Sequence, residues 1–188
     1  MKKLNTEKTK RRLKITKTVL LTLAAAGVLA IPVAGPLTFM VIADELGLPR
    51  VGRRKVYDSL RRIEKQRLIG VSQNGDTTVV GLTKNGQNKV LKYKLEDMRI
   101  KKPWKWDRKW RVVIFDIPEK YKMGRECLRN KLKELGFYKL QKSVWIYPYS
   151  CEDEVDFIGE LYEVRSYIRI LTVQKIDIQK DLVRLFEL

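Results

Sequence analysis

Between Trp110 and Pro148 the hydrophobic and polar positions change period three times. Trp110 to Phe115 is an apolar run rich in β-branched and aromatic residues, which predicts a strand. Asp116-Ile117-Pro118-Glu119 then turns the chain, because proline fixes its own φ and the carboxylates are placed to serve the free N–H groups of a following helix. Over about 123–135, Cys127, Leu128, Leu132 and Leu135 share a stripe that Arg125, Arg129 and Lys133 avoid, the mark of an amphipathic helix. Gly136 stands where a left-handed C-cap belongs. Ser143 to Tyr147 alternates again as a strand and stops at Pro148. Further on, 152–162 predicts an acidic helix with Val155, Ile158 and Leu161 inward, and 167–173 predicts a strand. The sum is strand-helix-strand-strand-helix-strand, a ferredoxin-like α+β sandwich. Residues 177–186 read as a short terminal helix or an edge strand.

The first half has a different pattern. Val19 to Ala43 carries no charge. Its length and basic flank suit a membrane anchor or a signal peptide, yet Pro32, Gly35 and Pro36 split it into halves too short to span. The other reading is a small helical domain whose first buried helix covers 18–31. A second helical pattern covers 37–47, a turn 48–52 and a third helix 53–68. In that third helix Val56, Leu60 and Ile63 line one face, and Arg54, Arg61 and Lys65 the other. Strands at 69–71 and 77–82 flank Gln73-Asn74-Gly75-Asp76, a hairpin signal. Helix, helix, basic helix and hairpin is the order of a winged helix-turn-helix, and it is preferred here over a membrane span. Leu82-Thr83-Lys84-Asn85-Gly86 resembles the L-T-x-x-G that closes many such wings, with Thr83 capping a last helix to about Met98. The expected organisation is a basic arm at 1–17, a winged helix-turn-helix at 18–98, a linker at 99–109 and a ferredoxin-like dimerisation domain at 110–188. In the linker, Trp104 and Trp106 alternate with Lys105 and Asp107, and either stack on bases or pack the linker onto its domain.

Charge sharpens this division. The chain of 188 residues carries a net +18, and residues 1–109 hold 26 lysines and arginines against 9 acids, while 110–188 hold 14 against 13. A surplus confined to one half is the footprint of a polyanion binder, whereas general solubility would not explain the asymmetry. The arm at 1–17 is either a solubilising tail or a phosphate-contacting segment. There is no histidine, which removes imidazole acid/base chemistry, His metal ligation and the usual Ser-His and Cys-His pairs. Two cysteines, Cys127 and Cys151, are too few for a metal cluster and fit a reducing cytoplasm.

The stretch from about Lys105 to Val173 resembles two related families. Phe115-Asp116-Ile117-Pro118-Glu119, Leu132 to Gly136 and Gln141-Lys142-Ser143-Val144-Trp145 are similar to the Cas-two family of CRISPR adaptation proteins. Trp106-Asp107-Arg108-Lys109-Trp110-Arg111 and the Ser-Val-Trp ending look more like the PaaX-like repressors of phenylacetate degradation, which carry a domain similar to Cas-two behind a winged helix. That resemblance implies a homodimer whose tail completes a partner's sheet. Those repressors usually carry a further carboxy-terminal domain, for which no counterpart is expected among these residues, and that departure puts effector binding, including any aryl-CoA ligand, in doubt.

Two sets of candidate residues follow. For duplex DNA, Arg50, Arg53, Arg54, Lys55, Arg61 and Lys65 on or beside the third helix would meet the major groove, with Asn74 and Lys84 at the wing. The bland alternative is a solvated helix face. For chemistry, the Cas-two resemblance points at Asp116, which would face its counterpart across a dimer and hold magnesium. Against this, Asp116 is a single acid that caps a helix and fixes the turn. The preferred reading is a DNA-binding repressor without a cofactor, cytoplasmic, homodimeric and not membrane-bound. The alternative is a metal-dependent nuclease or CRISPR adaptation subunit of the Cas-two type.

Overall fold

The computed structural model describes residues 2–31, Val41, Asp44 and 53–188, with side chains described at 13–30, at Val41 and Asp44, and from Tyr57 onward. Within the predicted second helix, Val41 and Asp44 are both helical; the rest of 37–47, the turn at 48–52 and Arg50 lie outside the described residues. The protein is a mixed α+β chain with two antiparallel sheets. It divides into two compact units, residues 1–96 and 97–188.

The first unit opens with α1 (Lys2–Ala26), then β1 (Leu29–Ile31), α2 (Arg53–Lys65), β2 (Ile69–Asn74), β3 (Thr77–Leu82) and α3 (Lys84–Asp97). Here the expectation of a first helix over 18–31 changes at both ends. The lysine-rich stretch expected as an arm is the front of α1, as lysine and arginine propagate a helix well once a packed segment anchors it. At the other end Gly27, at φ +78°, donates its N–H to the Leu23 carbonyl at 2.9 Å and stops the helix. Leu29–Ile31 then pairs with Thr78–Val80, giving a sheet of order β1-β3-β2. Among the described residues no helix is long and apolar enough to cross a membrane.

The core of this unit joins Val19, Leu20 and Leu23 of α1, Leu60 and Ile63 of α2, Ile69, Val80, and Val90 and Tyr93 of α3. The β2–β3 hairpin closes on Gly75-Asp76, with Gly75 at φ +60°, a conformation glycine adopts without a Cβ penalty.

In the second unit, β4 (Trp110–Phe115), α4 (Lys122–Glu134), β5 (Tyr138–Gln141), β6 (Val144–Tyr147), α5 (Glu152–Leu161) and β7 (Ile168–Val173) precede α6 (Gln179–Phe186). The strands order as β5-β6-β4-β7, all antiparallel, so both helical crossovers skip a neighbour. This is a βαββαβ connectivity. β4 is central and almost wholly buried, which is why it reads as a continuous apolar run. Its alternate residues serve two faces. Trp110 and Val112 join Ile146 and Leu182 of α6 in one cluster, with Phe186, Ile114 and Val144 packed around it. The terminal segment is therefore a helix on its own sheet and not an edge strand. On α4 the buried positions are Gly124, Leu128, Lys131 and Leu132. Cys127 and Leu135 are half-buried, and the Lys131 ammonium reaches the surface through Glu134 at 3.0 Å.

Candidate nucleic-acid interface

α2 is amphipathic because its apolar side chains recur at helical spacing, and that spacing also sets where its cations go. Leu60 and Ile63 are fully buried and Ser59 nearly so, which leaves Arg61 and Lys65 exposed on the opposite side. Arg54 precedes Arg61 by seven residues in the sequence of the same helix. Arg53, Arg54 and Lys55 form the first turn of α2. The Arg61 guanidinium lies 5.0 Å from the Tyr57 ring centroid, a stacking contact that limits its rotamers and keeps the charge outward. Sequence reasoning missed Tyr57, although an aromatic four residues before an arginine is the spacing such stacking uses. Asp58 is exposed near the same side and is the acid that dilutes it.

Asn74 is exposed at the end of β2 and pairs with Thr77 across the hairpin. The Gln73 amide braces the tip by donating to the Gly75 carbonyl at 3.3 Å. Lys84 is exposed at the first position of α3. The hinge between α2 and α3 accounts for the Leu-Thr-x-x-Gly pattern. Thr83 accepts the Gly86 N–H on its Oγ1 at 3.1 Å, and the same hydroxyl donates to the Arg67 carbonyl. The Thr83 N–H meets the Leu68 carbonyl at 3.1 Å. Gly86 lies so close to that carbonyl that a Cβ would collide with it. The expected Thr83 cap is therefore present, and it ties α3 to the end of α2.

In the second unit, Asp116 is exposed just after β4, and its N–H donates to the Tyr167 carbonyl at 3.1 Å. The expected capping role differs. Pro118 begins a 3-10 turn over Glu119–Tyr121 and Tyr121 precedes α4, and neither helix end has a side-chain cap. Glu119 instead bonds Arg125 at 2.6 Å, and that guanidinium holds the carboxyl below its ordinary range. Among the described residues no group of three or more acids or cysteines is placed to hold a metal ion.

The Trp106 to Arg111 motif has a structural explanation that the sequence reading did not reach. Arg111, buried, meets both oxygens of Asp107 at 2.8 and 2.7 Å. The hydrogen bond to the guanidinium holds the Asp107 carboxyl below the usual aspartate range. Trp106 packs tilted against Trp110, ring centroids 4.8 Å apart, and donates its indole N–H to the Lys109 carbonyl at 3.1 Å. Of the two linker tryptophans, then, one packs, and Trp104 stands in solvent. The cysteines are unpaired. Burial pushes the Cys151 thiol up to about 12, so it packs as a neutral group. Tyr162 is raised to about 12, first by its hydrogen bond with Cys127.

No curated protein matches the chain. Residues 103–183 match the family model described as the PaaX protein central Cas2-like domain, a span running from the linker through most of α6. Over those residues the chain is similar to the central domain of PaaX proteins, and this supports the PaaX-like family recognised in its sequence.

Proposed function

We propose that the protein is a DNA-binding transcriptional repressor acting as a homodimer, with a winged helix-turn-helix in front of a ferredoxin-like domain. The observation that carries this reading is the exposed cationic stripe of α2, in the half of the chain that holds nearly all the positive surplus. The order of α1, β1, α2 and the β2–β3 hairpin supports a winged helix, with α2 as the recognition helix and Asn74 and Lys84 at the wing. Arg53, Arg54, Lys55, Arg61 and Lys65 would contact duplex, arginines forking onto guanine edges and lysines meeting phosphate. Arg50 completes the set as a candidate. Two copies would place two such helices on half-sites about 34 Å apart and exclude transcription machinery by bulk. Unpaired cysteines suit a reducing cytoplasm.

The discriminating experiment uses duplexes selected from a random library by the wild-type chain. Arg54→Ala with Arg61→Ala is expected to weaken binding about a hundredfold, at roughly 1–3 kcal/mol for each guanine fork. Asp116→Ala is expected to bind as wild type. Wild-type affinity in the double arginine variant would refute the regulator. Magnesium-dependent cleavage that vanishes in Asp116→Ala would establish the nuclease alternative, with Asp116 as metal ligand.

A further inference from the structure

The Trp104 indole is fully solvent-exposed, while the chain's other tryptophans are buried or half-buried. It stands on a segment held in place from one side. Two residues on, Trp106 is packed tilted against Trp110 and bonded to the Lys109 carbonyl. The Asp107 carboxylate is taken up by Arg111 and by the Lys109 N–H at 3.0 Å. Arg108 adopts φ +61° to make that turn. Pro103 restricts the backbone on the other side. Lys101, Lys102, Lys105 and Arg108 are all exposed within four residues of Trp104 in the sequence, and between Met98 and Trp106 there is no acid. Such an aromatic costs free energy in water and contributes nothing to its own unit's packing.

We infer that Trp104, with Lys101, Lys102 and Lys105, forms a stacking platform for an unpaired base of a single-stranded nucleic acid. An aromatic face takes any base, and cations two and three residues before it and one after can follow the backbone phosphates on either side. A bilayer fits less well, because the exposed neighbours of the indole are lysines and a proline, with no apolar face to enter lipid. The inference extends the nucleic-acid reading but uses residues apart from α2, so the two fail separately.

The test uses the full chain and an oligothymidylate of about 16 nucleotides, long enough for one binding site and unable to pair with itself. Tryptophan emission is expected to be quenched on binding in the wild type. Trp104→Ala should weaken binding about five- to hundredfold, and Trp104→Phe should restore much of it. Lys101→Ala, Lys102→Ala and Lys105→Ala together should reduce the salt slope by about 2. Arg54→Ala with Arg61→Ala should weaken duplex binding far more than oligothymidylate binding, the reverse of the order expected for Trp104→Ala. Equal affinity in Trp104→Ala and wild type would overturn the platform, as would absence of binding. So would an emission change on anionic phospholipid vesicles without one on the oligonucleotide.

Discussion

Gly86→Ala is expected to destabilise the amino-terminal unit by about 3 kcal/mol or more, the upper end of what overpacking does. The reason is backbone against backbone. A Cβ at this position would collide with the Leu68 carbonyl and crowd the Leu82 side chain. A side chain could swing away, but this carbonyl cannot, because it also accepts the Thr83 N–H at 3.1 Å. Moving α3 outward would break that bond and the Thr83 hydroxyl's bond to Arg67, and would pull Val90 and Tyr93 from the core. Hydrogen exchange resolves the effect by unit. Amides of α2, β2 and β3 should lose protection, while those of β4 keep it. Unchanged protection in α2 and the hairpin would mean that α3 is not fixed to them by this contact.

Trp110→Ala should cost the carboxy-terminal unit about 3–5 kcal/mol, as expected for a large buried aromatic. Its ring is fully buried between Trp106 at 4.8 Å and Phe186 at 5.9 Å, on the face that α6 covers through Leu182. Trp110→Phe should cost far less. Among the described residues the indole N–H has no hydrogen-bond partner, so phenylalanine keeps the ring contacts and orphans nothing. Urea unfolding followed by far-ultraviolet dichroism measures both. Equal losses in the two variants would show that the ring cluster is not what holds α6 to the sheet.

These two sites differ in how far the sequence exposed them. Where burial is two-sided, pattern sufficed: β4 reads as a strand because both its faces are covered, and Gly136, at φ +90°, ends α4 as its position suggested. Thr83 and Gly86 were recognisable as a pattern, but their reason, the approach to Leu68, joins two turns that sequence spacing does not relate. Other features were illegible because tertiary contacts decide them. Apolar periodicity in α1 begins near Ile15, so a reading based on burial starts the helix late, although helix propensity carries it back to Lys2. Leu29–Ile31 is a strand only because Val79 and its neighbours have a free edge to pair with. Asp116 looked like a cap, but the Pro118 turn places a 3-10 segment before α4. For the candidate interface, the stripe of Arg61 and Lys65 followed from spacing, while Tyr57 beneath Arg61 needed the helix built.

The most direct test of the account is the salt dependence of duplex binding by the full chain, compared with a variant in which Arg54, Arg61 and Lys65 are alanine. Each neutralised phosphate contributes about −0.9 to the slope of log affinity against log salt. The account predicts a steep slope for the wild type and, in the variant, weaker binding at every salt with a slope shallower by about 1, because of these three side chains Lys65 is the one that meets phosphate. The same slope in both, or no duplex binding at low salt, would contradict it.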